Sequence, residues 1–516
     1  MTDPTSNQAA DALTIARLAA LSSLEYDRVR LTEAEALNCR VSTLDAMVES
    51  ARAGERTDDA LGDHRPPEFS DESLALRFSE KYADRLRYVA DWGRWMIYDG
   101  RVWIPDNTML AFNMARTICR EASSACNDHD AANIIASART IAAVEKLARA
   151  DRRHAATPGQ WDTNPWLLNT PAGAVDLRTG KIVPHDPGEH MTRMTAEAPA
   201  ETVDCPIWFA FLDKVTGGND VELRAYLRRV VGYSLTGITR EHAMWFIYGL
   251  GGNGKGVFLN TMSALLANYA ATAPMEAFTA TSGERHPTDL AMLRGARLVT
   301  AQETEDGRRW AEARIKALTG GDPITARFMR QDFFTFIPGF KLVIAGNHKP
   351  GLRSVDEAIR RRLNLIPFTV QIPPNERDPE LAEKLRPEWP AILKWAILGC
   401  LEWQKYGLNP PAAVLDATDL YLSGEDAMGL WLEERCIRAD GKWCGSGMLF
   451  ADWKWWAERA GQFVGTQKRF SQAIEARGLI PKREGGTGQR GFAGIDLNRP
   501  VPAAETLPPE IPAWVL

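Results

Sequence analysis

The sequence predicts an α/β protein with a parallel sheet at its centre, a mixed helical and β-hairpin region before it and a winged helix after it. Between residues 237 and 405, short runs of β-branched or aromatic residues alternate with segments of helical length. This alternation is typical of a parallel sheet with crossover helices. The four apolar runs are Met244–Tyr248, Leu298–Ala301, Leu342–Ala345 and Leu365–Phe368. After residue 420 the order is helix, helix and a glycine-rich hairpin, which is typical of a winged helix.

Bulk composition excludes several classes of protein. A chain of 516 residues is too long for one core, so we expect three or four domains. No apolar run approaches the roughly 20 residues that a membrane span needs. The N-terminus is polar and does not resemble a signal peptide. The seven cysteines contain no C-x-x-C pair, and the net charge is −6. We therefore expect a cytoplasmic protein without membrane contact, zinc or disulfides, and any nucleic-acid surface must be local.

Periodicity and turn residues divide the chain into four pieces. These are helices over 1–66, a mixed α+β domain over 67–236, the sheet domain over 237–405 and the winged helix over 420–500. A break at 38–40 is compatible with a helix-turn-helix, although a plain helical hairpin is favoured. Two β-hairpins are expected, with turns at Asp99-Gly100 and Thr179-Gly180. The triplet Asp128-His129-Asp130 is interpreted as an exposed loop rather than a metal site.

The first apolar run leads into a glycine-rich loop, and a helical pattern follows it. The frame Gly249-x4-Gly254-Lys255 is that of a phosphate-binding loop. Backbone N–H groups at a helix N-terminus bind phosphates, and Lys255 would reach the β- and γ-phosphates as a point charge. We therefore predict an ATP site, whereas an ordinary glycine-rich turn is the alternative. The predicted nucleotide-binding residues are Gly249, Gly251, Gly252, Asn253, Gly254, Lys255, Gly256 and Val257.

Polar residues follow two later strands of the predicted sheet. The run at 298–301 ends in Gln302-Glu303-Thr304-Glu305 at the edge where ligands bind in parallel sheets. Glu303 is predicted to orient or deprotonate the attacking water and to hold Mg²⁺, with Glu305 beside it; a solvated acidic loop is the alternative. Asn347 follows the third run, where its amide would contact the γ-phosphate or the water. A lone asparagine there would otherwise be a turn former.

Two groups of arginines lie near this predicted site. "PITARFMRQDFFTFIP" alternates as a hairpin with Arg327 and Arg330 near its tip, and aromatic residues beside them make it a candidate probe of single-stranded DNA. Three arginines at 360–362 precede the fourth strand. Arg361 or Arg362 is predicted to stabilise transition-state charge on the nucleotide of a neighbouring subunit. A solvated basic face is the alternative for this second group.

The C-terminal piece is basic on a chain that is acidic overall. Residues 437–500 contain 11 Lys and Arg against 6 Asp and Glu. Phe470 and Ile474 are predicted to face inward on a helix, which leaves Lys468 and Arg469 free for phosphate contacts. Lys482 and Arg483 would lie on the wing of the winged helix. The tryptophans at 453, 455 and 456 are interpreted as core and interface residues rather than stacking platforms for bases.

The series "GGNGKGVFLN", "GARLVTAQETE", "LTGGDPITARFMRQDFFTFIPGFKLVIAGNHKP" and "DEAIRRRLNLIPF" resembles the superfamily 3 helicases of phages, plasmids and poxviruses. The phage/plasmid primase-helicases are the most similar group, and the resemblance is strongest over residues 240–370. It implies an AAA+-like fold, homo-hexameric rings and ATP-driven 3′-to-5′ movement on single-stranded and forked DNA. It also implies a hairpin that grips the strand and a bacterial host cell. Lys255, Glu303 and Asn347 match the P-loop lysine, the acidic strand-end residue and the sensor.

Two departures from the family pattern qualify this expectation. Gly256 stands where the phosphate-binding loop has Ser or Thr, so Mg²⁺ loses one protein ligand, although water can replace it. About 66 residues precede the region that resembles the motor's N-terminal domain, and no acidic pair on a strand occurs there. We therefore expect no primer synthesis by this chain and a separate primase as partner. An origin-binding initiator and a nucleotide-gated scaffold with little turnover are the alternative functions.

Overall fold

The computed structural model describes residues 66–498, except 219, 281–287, 304–306, 330–331, 354 and 486–487, together with most of residues 14–48. Contacts between Cα atoms divide the chain into two compact units. The N-terminal unit comprises residues up to 83 and residues 107–155, and the main unit comprises residues 84–106 and everything from 156 onward. The segment 67–236, which we expected to form one domain, is thus shared between the two units.

The N-terminal unit is helical in its described part. Its helices are α1 (Ser23–Ala36), α2 (Asp71–Tyr82), α3 (Leu110–Ala125), α4 (His129–Ile135) and α5 (Ala138–Ala148). α1 ends just before the break expected at 38–40, and helical residues resume at 41. The Asp128 carboxylate accepts backbone hydrogen bonds from Asp130 and Ala131 and caps α4, so the triplet is exposed as expected but His129 and Asp130 begin a helix rather than lie in a loop. The described residues contain no group of three potential metal ligands.

Two small antiparallel sheets open the main unit. The strands of these two sheets are β1 (Leu86–Val89), β2 (Arg94–Tyr98), β3 (Trp103–Pro105), β4 (Ala155–Ala156), β5 (Leu167–Thr170), β6 (Gly173–Asp176) and β7 (Lys181–Val183). β2 pairs with β3 across the turn at Asp99-Gly100, and β6 pairs with β7 across the turn at Thr179-Gly180, which confirms both predicted hairpins. β5 adds a further strand to β6 that the sequence did not reveal.

A five-stranded parallel sheet forms the centre of the main unit, in the order β14-β8-β13-β10-β9. Its strands are β8 (Met244–Tyr248), β9 (Ala270–Thr272), β10 (Leu298–Glu303), β13 (Lys341–Gly346) and β14 (Leu363–Pro367). A separate hairpin consists of β11 (Ile324–Ala326) and β12 (Phe334–Phe336). The helices around these strands are α6 (Pro206–Val215), α7 (Val221–Ser234), α8 (Lys255–Leu266), α9 (Thr288–Ala291), α10 (Glu312–Gly320), α11 (Glu357–Arg360), α12 (Leu381–Leu385) and α13 (Trp389–Tyr406). The predicted parallel sheet and its four strands are confirmed, and β9 is an edge strand that we did not predict.

Apolar clusters cover both faces of this sheet. Trp245 and Ile247 lie in one cluster with α7, α8 and α13, whereas Met244 and Phe246 lie in the other, as the period-two alternation of a strand requires. Because both faces are covered, each strand is a nearly continuous apolar run. This burial is the reason that the strands could be recognised from the sequence.

Two buried cations lie at the amino-terminal ends of strands β10 and β13. Arg297, just before β10, donates to the carbonyl oxygens of Leu235 and Leu167 at 2.6 Å each. Lys341, at the start of β13, donates to the carbonyl oxygens of Ile238 and Gly339 at 3.1 Å each. Burial lowers the pKa of both groups. The bonds to Leu235 and Ile238 connect the starts of β10 and β13 to the segment that leads into β8.

The C-terminal part begins with α14 (Ala412–Glu425) and continues as a small α+β body. Its elements are α15 (Ala427–Arg435), β15 (Cys436–Gly445), α16 (Ser446–Arg459), α17 (Gln467–Glu475), β16 (Ile480–Arg483) and β17 (Arg490–Leu497). The antiparallel sheet has the order β15-β17-β16. Trp431, Trp453, Phe470 and Ile474 are buried in its core. The expected order of two helices and a hairpin is present, preceded by one more helix and strand.

Candidate functional site

The glycine loop, residues 249–254, joins the end of β8 to the start of α8. Gly251, Gly252 and Gly254 have φ values of 96°, 63° and 80°, which side chains with a Cβ adopt rarely. Gly249 has another reason to be glycine, because a Cβ there would lie 2.1 Å from the carbonyl oxygen of Phe368. The loop therefore depends on glycine at these four positions.

Gly256 differs from the other glycines of this region. It lies in the first turn of α8, its φ is not in the left-handed region, and a Cβ built on it would meet no atom within 4 Å. Neither the backbone nor the surroundings require glycine at this position. A serine hydroxyl would therefore fit where this chain has none.

Lys255 is buried within the site, with 8% of its surface exposed. Its Nζ donates to the carbonyl oxygen of Gly249 at 2.8 Å and to the Oδ1 atoms of Asn253 and Asn347 at 3.0 Å each. Burial lowers the pKa of Lys255. All three partners are neutral oxygens, so the positive charge of Lys255 has no negatively charged partner. An anion that replaces one of these oxygens would supply that negative charge.

Asn347 reaches Lys255 because β13 lies directly beside β8. In the sheet, Gly346 is paired with Tyr248 on one side and with Glu303 on the other. The ends of three neighbouring strands therefore lie level at one edge. The backbone of Glu303 is at that edge, although its side chain is outside what the structure describes, as is the whole of Glu305. The structure thus places two of the predicted site residues, Lys255 and Asn347, within hydrogen-bonding distance of each other.

A segment after β14 covers the glycine loop, and we call residues 368–377 the strap. Phe368 N donates to Tyr248 O at 2.9 Å, and Ile372 N donates to Gly252 O at 2.9 Å. The Asn253 side chain donates to Phe368 O at 2.7 Å. The strap was not predicted from the sequence, because its only marks are prolines and charges that are common in loops.

The three arginines at 360–362 have different surroundings. Arg362 is 7% exposed, and it donates to Thr319 Oγ1 at 3.2 Å and to Ala358 O at 2.9 Å inside its own chain. Arg360 forms an ion pair with Asp419 at 3.5 Å. Arg361 is exposed. Arg362 is thus bound within its own chain, whereas Arg361 is accessible, and the action of either residue on a neighbouring subunit stays a prediction.

The β11–β12 hairpin presents aromatic and basic groups at its tip. The Arg327 guanidinium lies 4.7 Å from the centre of the Phe333 ring, and Phe328 stacks on Phe334 with centres 5.5 Å apart. Phe333 is 58% exposed, which leaves one cation–π pair open to solvent. Arg330, the other predicted contact on this hairpin, lies outside the described residues.

The basic residues of the C-terminal body are arranged as the helix pattern predicted. Phe470 and Ile474 are buried, and Lys468 and Arg469 on α17 are exposed. Lys482 and Arg483 on β16 are also exposed. Trp453 belongs to the core, in agreement with our interpretation of the tryptophans. The two basic pairs thus lie on a helix and on a strand of the same small body.

Within the described part of the chain, no helix combines the length and the apolar character that crossing a membrane requires. The seven cysteines are all free thiols. Burial raises the pKa of Cys119 to about 11 and that of Cys205 to about 12, which makes these thiols unreactive.

Two family models match the chain. The model described as "D5 N terminal like" matches residues 75–217. The model described as "Family of unknown function (DUF5906)" matches residues 247–362, which include the glycine loop, the strand ends and the arginines. The first match thus precedes the central sheet, and the second covers most of it.

Two viral proteins are among the relatives found in curated sequences. "Putative helicase L207/L206" of Acanthamoeba polyphaga mimivirus is 25% identical over 303 residues, which are 54% of this chain and 31% of that protein. "Putative helicase 022R" of Frog virus 3 is 23% identical over 238 residues, 42% of this chain and 24% of that protein. The match therefore spans less than a third of the length of each relative.

Solved structures that align with this chain include two of the NrS-1 C-terminal region without ligand. One has a TM-score of 0.45 at 10% identity and covers 83% of this chain and 100% of that one. Another has a TM-score of 0.41 at 10% identity and covers 79% and 96%. The family models in their order along the chain, together with the viral relatives, confirm the resemblance to the D5-like superfamily 3 helicases that is seen in the motifs.

Proposed function

We propose that this chain is an ATP-driven DNA helicase that acts in the replication of a phage, prophage or plasmid. The observation that carries this proposal is the convergence of Lys255, Asn347 and the end of β10 at one edge of the parallel sheet. A lysine inside a glycine loop at a helix N-terminus suits phosphate binding. A polar amide 3.0 Å from that lysine, on the neighbouring strand, suits a group that detects the γ-phosphate.

In this proposal the glycine loop is a phosphate-binding loop and α8 is its helix. Lys255 exchanges one of its neutral oxygen partners for phosphate oxygens, and Asn347 contacts the γ-phosphate or the attacking water. Glu303 orients or deprotonates that water, and Glu305 assists. Backbone N–H groups of the loop hold the remaining phosphate oxygens.

Mg²⁺ is part of the proposed chemistry, and the donors at the site are compatible with it. Mg²⁺ commonly keeps several waters and needs only one or two carboxylates together with phosphate oxygens. Glu303 is the residue that would hold it, because its backbone lies level with the end of β8. When bound, the ion supplies charge that stabilises the transferring phosphoryl group. Gly256 offers no hydroxyl, so one position of the metal would be filled by water.

The DNA would be bound at two surfaces. The β11–β12 hairpin pairs Arg327 with an exposed aromatic ring, a combination that suits stacked bases and a phosphate backbone. The C-terminal body has the order helix, strand, helix, helix, strand, strand, which supports a winged helix with Lys468 and Arg469 on its third helix. The basic pair at 482–483 would contact the backbone from the wing.

The active assembly in this proposal is a homo-hexameric ring around single-stranded DNA. Arg361, exposed on the helical turn before β14, would complete the nucleotide site of a neighbouring subunit. A separate primase would supply primers. The viral relatives support a role in the replication of a mobile genetic element, and we place this action in the cytoplasm of a bacterial host.

One observation favours a second candidate. The missing hydroxyl at Gly256 would suit an origin-binding initiator or a nucleotide-gated scaffold that binds ATP and turns it over slowly. Steady-state ATPase assays with and without single-stranded DNA distinguish a helicase from an initiator or scaffold. A helicase should hydrolyse ATP faster when DNA is added, and Lys255→Ala should abolish the activity. Binding of ATP without turnover under both conditions would favour the scaffold.

A further inference from the structure

A second cation lies against the glycine loop, and the strap supplies it. A Cβ built on Gly252 would lie 2.3 Å from Nη2 of Arg377 and 2.8 Å from its Cζ. The guanidinium therefore rests directly on the backbone of the loop, in the space that any larger residue would occupy. Glycine at position 252 leaves room for this contact and also tolerates the backbone φ of 63°.

The strap holds this arginine in place. Arg377 Nε donates to Ile372 O at 2.9 Å, and the N–H of Ile372 in turn donates to Gly252 O at 2.9 Å. One edge of the guanidinium is thus tied to the strap, which is itself tied to the loop. The two terminal nitrogens make no hydrogen bond to the residues that the structure describes. Such a fixed planar fork loses little freedom when it binds an anion.

The neighbouring carboxylates do not neutralise Arg377. Glu376 forms an ion pair with Lys214 at 2.8 Å, and Asp378 forms one with Lys384 at 2.8 Å. Both acidic neighbours in the sequence are thus occupied by lysines from elsewhere. No carboxylate among the described side chains pairs with Arg377, whose side chain is exposed. Lys255 on the other side of the loop also has only neutral partners.

We propose that Arg377 binds the nucleotide in the same subunit as Lys255, with its terminal nitrogens donating to phosphate oxygens of ATP. This inference rests on the proposed ATP site. Two cations without acidic partners, one inside the glycine loop and one on its surface, create a place for a polyanion. A guanidinium donates two parallel hydrogen bonds to phosphate, which an ammonium group cannot do. The strap is therefore part of the nucleotide site.

The test measures the binding of a fluorescent ATP analogue and of inorganic tripolyphosphate to the full-length protein and its variants. Arg377→Ala should weaken both by about tenfold or more, because charge-assisted bonds to phosphate are lost. Arg377→Lys should restore part of the affinity, whereas Arg377→Gln should not. Arg386→Ala is the matched control, since that exposed guanidinium lies 5.7 Å from the Trp389 ring and away from the loop. The melting temperatures of all variants should agree within a few degrees.

The outcomes separate this inference from the proposed function. If Lys255→Ala loses ATP binding while Arg377→Ala and Arg377→Gln bind as the wild type does, the ATP site stands and the role of Arg377 is refuted. If Lys255→Ala also binds normally, the ATP site itself is refuted. A loss of ATP affinity with unchanged tripolyphosphate affinity would overturn the phosphate contact, because the guanidinium would then touch the sugar or the base. If Arg377→Ala does not fold, Arg377→Gln decides.

Discussion

At the scale of single residues, the proposed nucleotide site requires glycine at some positions of the loop and a positive charge at Lys255. Gly251, Gly252 and Gly254 have positive φ, so the loop conformation itself selects glycine there. Gly256 does not share this constraint. The Nζ atom of Lys255 donates hydrogen bonds to three oxygens at 2.8 to 3.0 Å. A phosphate oxygen can replace one of these acceptors.

The roles of Lys255 and Glu303 predict different defects. Lys255→Ala should weaken ATP binding by about tenfold to a hundredfold, since hydrogen bonds to charged groups contribute about 1.5–3 kcal/mol. Glu303→Gln should leave binding nearly unchanged and reduce turnover by about 10²-fold or more, because it acts on the water during the reaction. Equilibrium binding and single-turnover hydrolysis measure the two effects. An equal loss of nucleotide binding in both variants would contradict these roles.

Gly256→Ser should leave Mg²⁺-dependent turnover unchanged or raise it. A Cβ at this position meets nothing within 4 Å, and a hydroxyl would add a metal ligand without much bulk. Gly254→Ala is the contrasting change, since its Cβ would lie 2.8 Å from the Phe211 ring at a φ of 80°. That variant should lose roughly 1–3 kcal/mol of stability. Thermal melts and ATPase rates test the pair, and an inactive but folded Gly256→Ser protein would refute our account of the loop.

At the scale of secondary-structure elements, function depends on segments that lie outside the central sheet. The hairpin presents Arg327 and Phe333 as an open pair, whereas its strands pair Ile324 with Phe336 and Ala326 with Phe334. The strap connects the end of β14 to the glycine loop. The hairpin has only two strands and the strap is irregular. Neither segment is a strand of the central sheet.

The hairpin yields a prediction about DNA. Arg327→Ala should weaken binding to single-stranded DNA, and Phe333→Ala should do the same because base stacking contributes about 1–3 kcal/mol per base. ATPase activity without DNA should remain. Thr335→Ala, on an exposed strand position of the same hairpin, is the control for local damage. Fluorescence anisotropy with an oligonucleotide measures the affinity. Wild-type DNA affinity in both tip variants would exclude the hairpin as a contact.

Some of these elements could be predicted from the sequence and others could not. β8, β10, β13 and β14 are buried on both faces, so each is an apolar run that stands out. β9 is three small residues, Ala-Ala-Thr, at the sheet edge, and carries no such signal. The positions of Lys255 and Asn347 after predicted strands could be read from the sequence, whereas their contact depends on the observed strand order. The contact of Arg377 with Gly252 and the burial of Arg362 depend on long-range packing that no local pattern encodes.

At the scale of the whole molecule, the proposed ring divides each active site between two subunits. Lys255 belongs to one side, and Arg361 would come from the neighbour. Arg362 has a different role, since its bonds to Thr319 and Ala358 hold α10 and α11 together inside one chain. Substitution of Arg361 should therefore affect turnover, whereas substitution of Arg362 should affect stability.

Arg361→Ala should spare ATP binding and folding but reduce turnover by about 10³-fold or more, the scale of such arginines. Arg362→Ala should instead lower the melting temperature, because it leaves buried acceptors unpaired. Mixing Arg361→Ala with Lys255→Ala should restore some ATPase activity, because some interfaces then combine an intact lysine with an intact arginine. If mixed rings assemble and stay inactive, Arg361 does not act across the interface.

In the proposed function, ATP hydrolysis at the site of Lys255 drives the separation of DNA strands. The most direct measurement is strand displacement on a forked duplex with a labelled strand, using the wild-type protein and Lys255→Ala. We expect displacement by the wild type only with ATP and Mg²⁺, none with a non-hydrolysable analogue, and none by Lys255→Ala. A wild-type protein that hydrolyses ATP and binds the fork but displaces no strand would contradict the claim, as would displacement by Lys255→Ala.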